Sequence, residues 1–91
     1  MAKERFDQNS KIEFELDRSL ALVLFEFLAR VADEQDGEPL AGTLDHDAEL
    51  PALWALLALL EEHLDEPFAD DYRDRIKQAR ETILRRFGKS R

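Results

Sequence analysis

Asp45-His46-Asp47-Ala48-Glu49 is the one stretch whose residue types suggest metal chemistry, because an imidazole and carboxylates this close can converge on a divalent ion. The same residues stand where a helix should begin. Acids there accept hydrogen bonds from free N–H groups and sit at the favourable end of the helix dipole, so capping accounts for Asp45, Asp47 and Glu49 without an ion. His63, beside Glu62 and near Asp65, falls on the polar side of the following helix and reads as a solvated surface histidine. The only serines, Ser10, Ser19 and Ser90, lie at the termini or near a helix start, and no glycine-rich phosphate loop is present. The sequence thus offers no catalytic constellation and no cofactor or metal site, and it reads as a non-enzyme.

The elements that position these residues follow from periodicity. Lys11-Ile12-Glu13-Phe14-Glu15-Leu16 alternates strictly and predicts one short amphipathic strand. Asp17 or Ser19 caps a first helix reaching about Gln35, with Leu20, Val23, Leu24, Phe27, Leu28 and Val31 as its apolar stripe. Asp36-Gly37 and Glu38-Pro39 break the pattern, and a loop with Leu40 and Leu44 tucked inward leads to a second helix. That helix is capped by Asp47, carries Pro51 in its first turn and ends near Leu64. Its main stripe is Leu50, Leu53, Trp54, Leu57, Leu60 and Leu64. Glu66-Pro67 stops it, Phe68 anchors the turn, and Asp70 or Asp71 starts a third helix running to Phe87, with Gly88 as the stop. The expected fold is mainly α: a short amino-terminal strand, then a three-helix up-down-up bundle completed by dimerisation. Residues 1–10 are read as a flexible segment, 11–88 as a single helical domain and 89–91 as a tail.

Dimerisation is expected for two reasons. A lone strand leaves its backbone unpaired, and its mate must come from residues 40–44, from residues 4–6 through a hairpin at Asp7-Gln8-Asn9-Ser10, or from a second copy. In an antiparallel pairing of two copies, Lys11 faces Glu15 and Ile12 faces Phe14, while Glu13 meets its own copy. The helices also carry apolar residues outside their main stripes: Leu22 and Phe25 on the first, Ala52, Ala55, Leu56 and Leu59 on the second. The candidate dimer interface is therefore Ile12, Phe14, Leu22, Phe25, Ala52, Ala55 and Leu59.

Charge is divided along the chain. Between Val31 and Asp71 there are thirteen acids and no Lys or Arg, whereas Tyr72 to Arg91 holds eight bases and two acids; the net charge is −8. Such a balance repels phosphate and anionic lipid, which argues against nucleic-acid and membrane partners. Arg73, Lys77, Arg80 and Arg85, with Arg86, Lys89 and Arg91, offer an alternative nucleic-acid reading for the third helix. Ordinary helix electrostatics, with Asp71–Arg75 and Glu81–Arg85 pairs, explain them as well. In an up-down-up bundle, the acids around the first loop should meet Arg85, Arg86, Lys89 and Arg91, and Glu62, Asp65 and Glu66 should feel Arg73. Asp33, Glu34, Asp36 and Glu38 remain as the candidate surface for a basic protein partner. With no cysteine, no long apolar run and an amino terminus, MAKERFDQNSK, lacking an apolar stretch, the chain reads as cytoplasmic.

The succession KIEFEL, ALVLFEFLAR and LDHDAELPALWALLALLEEHLDEPFADDYRDRIKQAR resembles a family of small acidic bacterial proteins. The resemblance spans residues 11 to about 85. It implies the strand, the Leu-Phe helix, the acidic loop, the Leu-Trp helix and the Asp-Tyr-Arg helix, and it assigns no catalytic or binding residue.

Overall fold

The computed structural model describes residues 7–88. Asp17 caps α1 (Arg18–Leu28): its backbone is extended and its carboxylate accepts from the Leu20 N–H at 2.9 Å. The helix runs on without a break into a π-helical turn, Ala29–Glu34. Two consecutive left-handed residues, Asp36 (φ 52°) and Gly37 (φ 76°), then turn the chain into a short 3-10 turn, Glu38–Leu40. Gly37 is needed twice over at this point. Its φ disfavours a side chain, and a Cβ there would lie 2.6 Å from Leu50 Cδ2.

The second helix, α2 (Glu49–His63), starts without a side-chain cap of the expected kind. Asp47 does not cap it; instead the Glu49 carboxylate accepts from the Asp45 N–H (2.7 Å) and His46 Nδ1 accepts from the Ala48 N–H (3.0 Å). After α2 comes a second 3-10 turn, Glu66–Phe68, in which Phe68 is 79% exposed and does not anchor the turn as expected. The third helix, α3 (Tyr72–Phe87), ends at Gly88 (φ 81°), whose N–H returns to the Leu84 carbonyl at 2.7 Å.

The central element is α1, packed against both other helices. Its start meets the end of α2 through Arg18 and Glu66, and its π turn meets the start of α2 through Trp54 Nε1, which donates to the Ala32 carbonyl at 2.6 Å. These two helices are antiparallel, as expected. The third is not placed as expected. Tyr72 Oη donates to Glu26 near the end of α1 (2.7 Å), and Arg86 pairs with Asp17 at its start, so α3 also runs against α1. The up-down-up order is thereby corrected. Residues 64–71 connect α2 to α3, far longer than a tight helix hairpin needs; with Ala69 extended (φ −84°, ψ 148°), they carry the chain back along α1 before α3 begins.

The core is Ala21, Leu22, Phe25 and Leu28 of α1, Leu57, Leu60 and Leu64 at α2, and Ile76 and Ala79 of α3. Leu22 and Phe25 therefore belong to the core, which removes them from the candidate dimer interface. The side of α1 expected to be buried is instead partly open at Leu24 and Phe27. The reason is geometric: α2 and α3 lie on the flanks that contain Leu22 and Phe25, and a helix that is apolar nearly all round buries whichever side its neighbours cover.

Residues 11–16 do not form a strand. Asp7–Ser10 makes a tight turn, with the Ser10 N–H on the Asp7 carbonyl at 3.2 Å, but no described backbone group bonds to residues 11–16. Residues 40–44 cannot serve as their mate, being occupied by the 3-10 turn and the Thr43-to-Leu40 bond that follows it. The alternative mate at residues 4–6 lies outside the described residues. A strand is defined by its partner, and a single chain supplies none among the described residues.

Candidate functional site

Two surfaces stand out once the helices are placed. The first is an open groove of about 1340 Å³ between residues 12–18 and the outer face of α2. Leu56, Leu59 and Leu60 line one side, Ile12, Phe14 and Leu16 the other, with Ala21 on α1. Ile12 is 85% exposed, Phe14 71% and Leu59 55%, and the candidate residues Ala52 and Ala55 are also exposed on α2. The groove is larger and more open than the 300–1,000 Å³ typical of small-molecule pockets, and seven of its twelve lining residues are apolar, the rest being Glu13, Glu15, Asp17, Arg18 and His63. This shape suits a polypeptide. Among the described residues, eleven hydrophobic ones are buried against ten large ones left at least about a third exposed, so the described part covers its apolar surface poorly by itself.

One end of the groove is fixed by a clamp that sequence reasoning missed. Arg18 Nε and Nη2 donate to Glu66 Oε2 and Oε1 at 2.8 and 2.9 Å, and Nη2 also donates to the His63 carbonyl at 3.2 Å. The guanidinium thus satisfies a carbonyl at the carboxyl end of α2 and offsets the acids gathered there. Its hydrogen bonds hold the Glu66 carboxyl at about 2, well below the usual range, against the opposing effect of partial burial. Among the described ion pairs, Glu66 is held by Arg18, and none joins Arg73 to these acids. A charge standing 48 positions away leaves no local spacing signal to find it by.

The second surface is the end of the molecule formed by the π turn and the loop into α2. Asp33, Glu34, Asp36, Glu38, Asp45, Asp47 and Glu49 are all exposed there. The expected meeting with Arg85 and Arg86 is not what the fold builds. Because α3 descends along α1, Arg86 lies at Asp17, at the opposite end of α1, and Arg85 reaches only Thr82. Lys89 and Arg91 lie outside the described residues. Of the thirteen acids between Val31 and Asp71, only Glu66 and Asp71 pair with a described base. Beside this end, Asp33, Trp54 and Glu61 border a hollow of about 200 Å³ floored by Leu57 and Ala58.

Asp45, His46 and Glu49 are engaged with the loop backbone, and among the described residues no three metal-ligating side chains converge. His63 is exposed, its Nδ1 2.8 Å from the Leu59 carbonyl. On α3, Arg73, Lys77 and Arg80 are exposed, while Arg75 pairs with Asp71 as expected and Arg86 with Asp17. Arg86 and the Leu20 N–H together draw the Asp17 carboxyl below its ordinary value, the backbone bond contributing most. Burial and the neighbouring Glu26 carboxylate push the Tyr72 phenol upward, so it stays protonated as a donor. No described helix is long and apolar enough to cross a membrane. Compared with models of known protein families, with curated proteins and with solved structures, the chain matches none.

Proposed function

We propose that this chain is a non-enzymatic protein–protein interaction module that works as a homodimer through the amino-terminal groove. One observation carries the reading: Ile12, Phe14 and Leu59 stand exposed around a single open groove of about 1340 Å³. Contiguous apolar surface of this kind marks an interaction site on a small domain, and burying it would add to a thin core. Sedimentation velocity tests it. The chain should sediment as a dimer at micromolar concentration, and Leu59→Asp should yield a folded monomer. A wild-type chain that stays monomeric at every concentration would overturn the reading.

A basic protein is the second partner, docked on the acidic end. The support is electrostatic: seven exposed acids from Asp33 to Glu49 lack a described basic partner, and Trp54 beside Asp33 and Glu61 offers an aromatic face to a Lys or Arg side chain. Lysine-rich peptides should bind with strong salt dependence, weakened by Asp33→Asn with Glu61→Gln. The nucleic-acid alternative draws on the exposed Arg73, Lys77 and Arg80. Retention on DNA or RNA at low salt, lost on Arg80→Glu, would favour it instead.

A further inference from the structure

The homodimer reading leaves open how the second copy enters the groove, and residues 11–16 answer in their own charges. Lys11, Glu13 and Glu15 alternate with Ile12, Phe14 and Leu16, all six are exposed, and no described backbone group bonds to them. The segment has a strand's alternation and no backbone partner among the described residues. Leu56 and Leu59 of α2 lie across the groove from it.

We infer that the groove receives residues 11–16 of a second copy, the two segments pairing antiparallel about a twofold axis at Glu13. Resting on the homodimer reading, this specifies its contacts. The second copy's strand lies beside residues 11–16 and over Leu56 and Leu59, and symmetry repeats the contact on the other chain, as a closed dimer requires. Charge chooses the direction. A parallel in-register pairing sets Lys11 on Lys11, Glu13 on Glu13 and Glu15 on Glu15, three like pairs. The antiparallel pairing sets Lys11 on Glu15 twice and leaves only Glu13 facing its copy. Both arrangements keep Ile12, Phe14 and Leu16 on one face, so the hydrophobic pattern alone does not decide between them. A segment whose charges complement themselves in one direction fits a second copy better than an unrelated chain.

The test is a charge exchange in the full chain, read as the dimer dissociation constant by sedimentation velocity, with circular dichroism to confirm folding. Lys11→Glu and Glu15→Lys should each weaken the dimer roughly tenfold, since each converts two attractive pairs into two repulsive ones. The double variant K11E/E15K should return to within about threefold of wild type, and Glu13→Thr should tighten the dimer by removing the one like pair. If the single variants dimerise like wild type, or the double variant is weaker than either single, the strand register is wrong. Loss of the dimer with Leu59→Asp alone, beside silent charge variants, would leave the homodimer standing and overturn the strand pairing. A monomeric wild type would remove both.

Discussion

Glu66→Gln isolates the clamp that joins the start of α1 to the end of α2. With its carboxyl at about 2 in the folded protein against an ordinary 4.5, the shift corresponds to about 3 kcal/mol at neutral pH, the upper bound. The Arg18 side chain is 61% exposed and Glu66 only 15%, so water screens one side of the pair. Discounting for that screening leaves about 1 to 2 kcal/mol, or a melting temperature lower by roughly 4–12 °C in a domain of this size. The sign of the pH dependence follows from a lowered carboxylate. The stabilisation is complete above the unfolded value near 4.5 and is lost as pH falls toward about 2. Urea unfolding of wild type and Glu66→Gln at pH 7, 4 and 2.5 should therefore show a difference that shrinks steadily with acid. In an Arg18→Ala background, Glu66→Gln should be nearly silent. A difference that persists undiminished at pH 2.5, or survives the loss of Arg18, would refute the clamp.

Five further substitutions follow from the fold. Gly37→Ala should destabilise by about 2 kcal/mol in urea unfolding, from its left-handed backbone and the Leu50 side chain it would displace. Gly42→Ala, with nothing within 4 Å of the added carbon, should be close to neutral. Trp54→Phe removes the donor on the Ala32 carbonyl and should cost about 1 kcal/mol, with faster amide exchange in the π turn. Leu22→Ala should cost about 2–5 kcal/mol as a core truncation, whereas Leu59→Ala should leave the monomer's unfolding almost unchanged and, on the homodimer proposal, weaken self-association.

Punctuation residues made the helices legible in sequence. Asp17 caps α1, Pro51 sits in the first turn of α2 and Gly88 stops α3, because each acts through its own backbone geometry. The buried side of α1 was not legible, since Ala-Leu-Val-Leu-Phe-Glu-Phe-Leu-Ala is apolar on nearly every side and only the flanking helices select Leu22 and Phe25 over Leu24 and Phe27. Direction was hidden as well. Residues 64–71 allow either a hairpin with slack or a return along α1, and the Tyr72–Glu26 and Arg86–Asp17 contacts that distinguish them join residues 46 and 69 positions apart. The direction of α3 also decides where its charges lie. With α3 reversed, Arg86 leaves the acidic loop for Asp17, and the acids from Asp33 to Glu49 pair with no described base.

The resulting picture has a strand-patterned segment with no described backbone partner facing an exposed apolar face of α2 at one side of the molecule, and an acidic surface without a described basic partner at another. Residue-resolved amide hydrogen exchange of the full chain across a concentration series tests the groove's role most directly. As concentration rises, amides of residues 12–16 should gain protection in step with the dimer mass, and the Leu59→Asp variant should show none. Amides there that exchange at the unprotected rate at every concentration would contradict self-association through this groove.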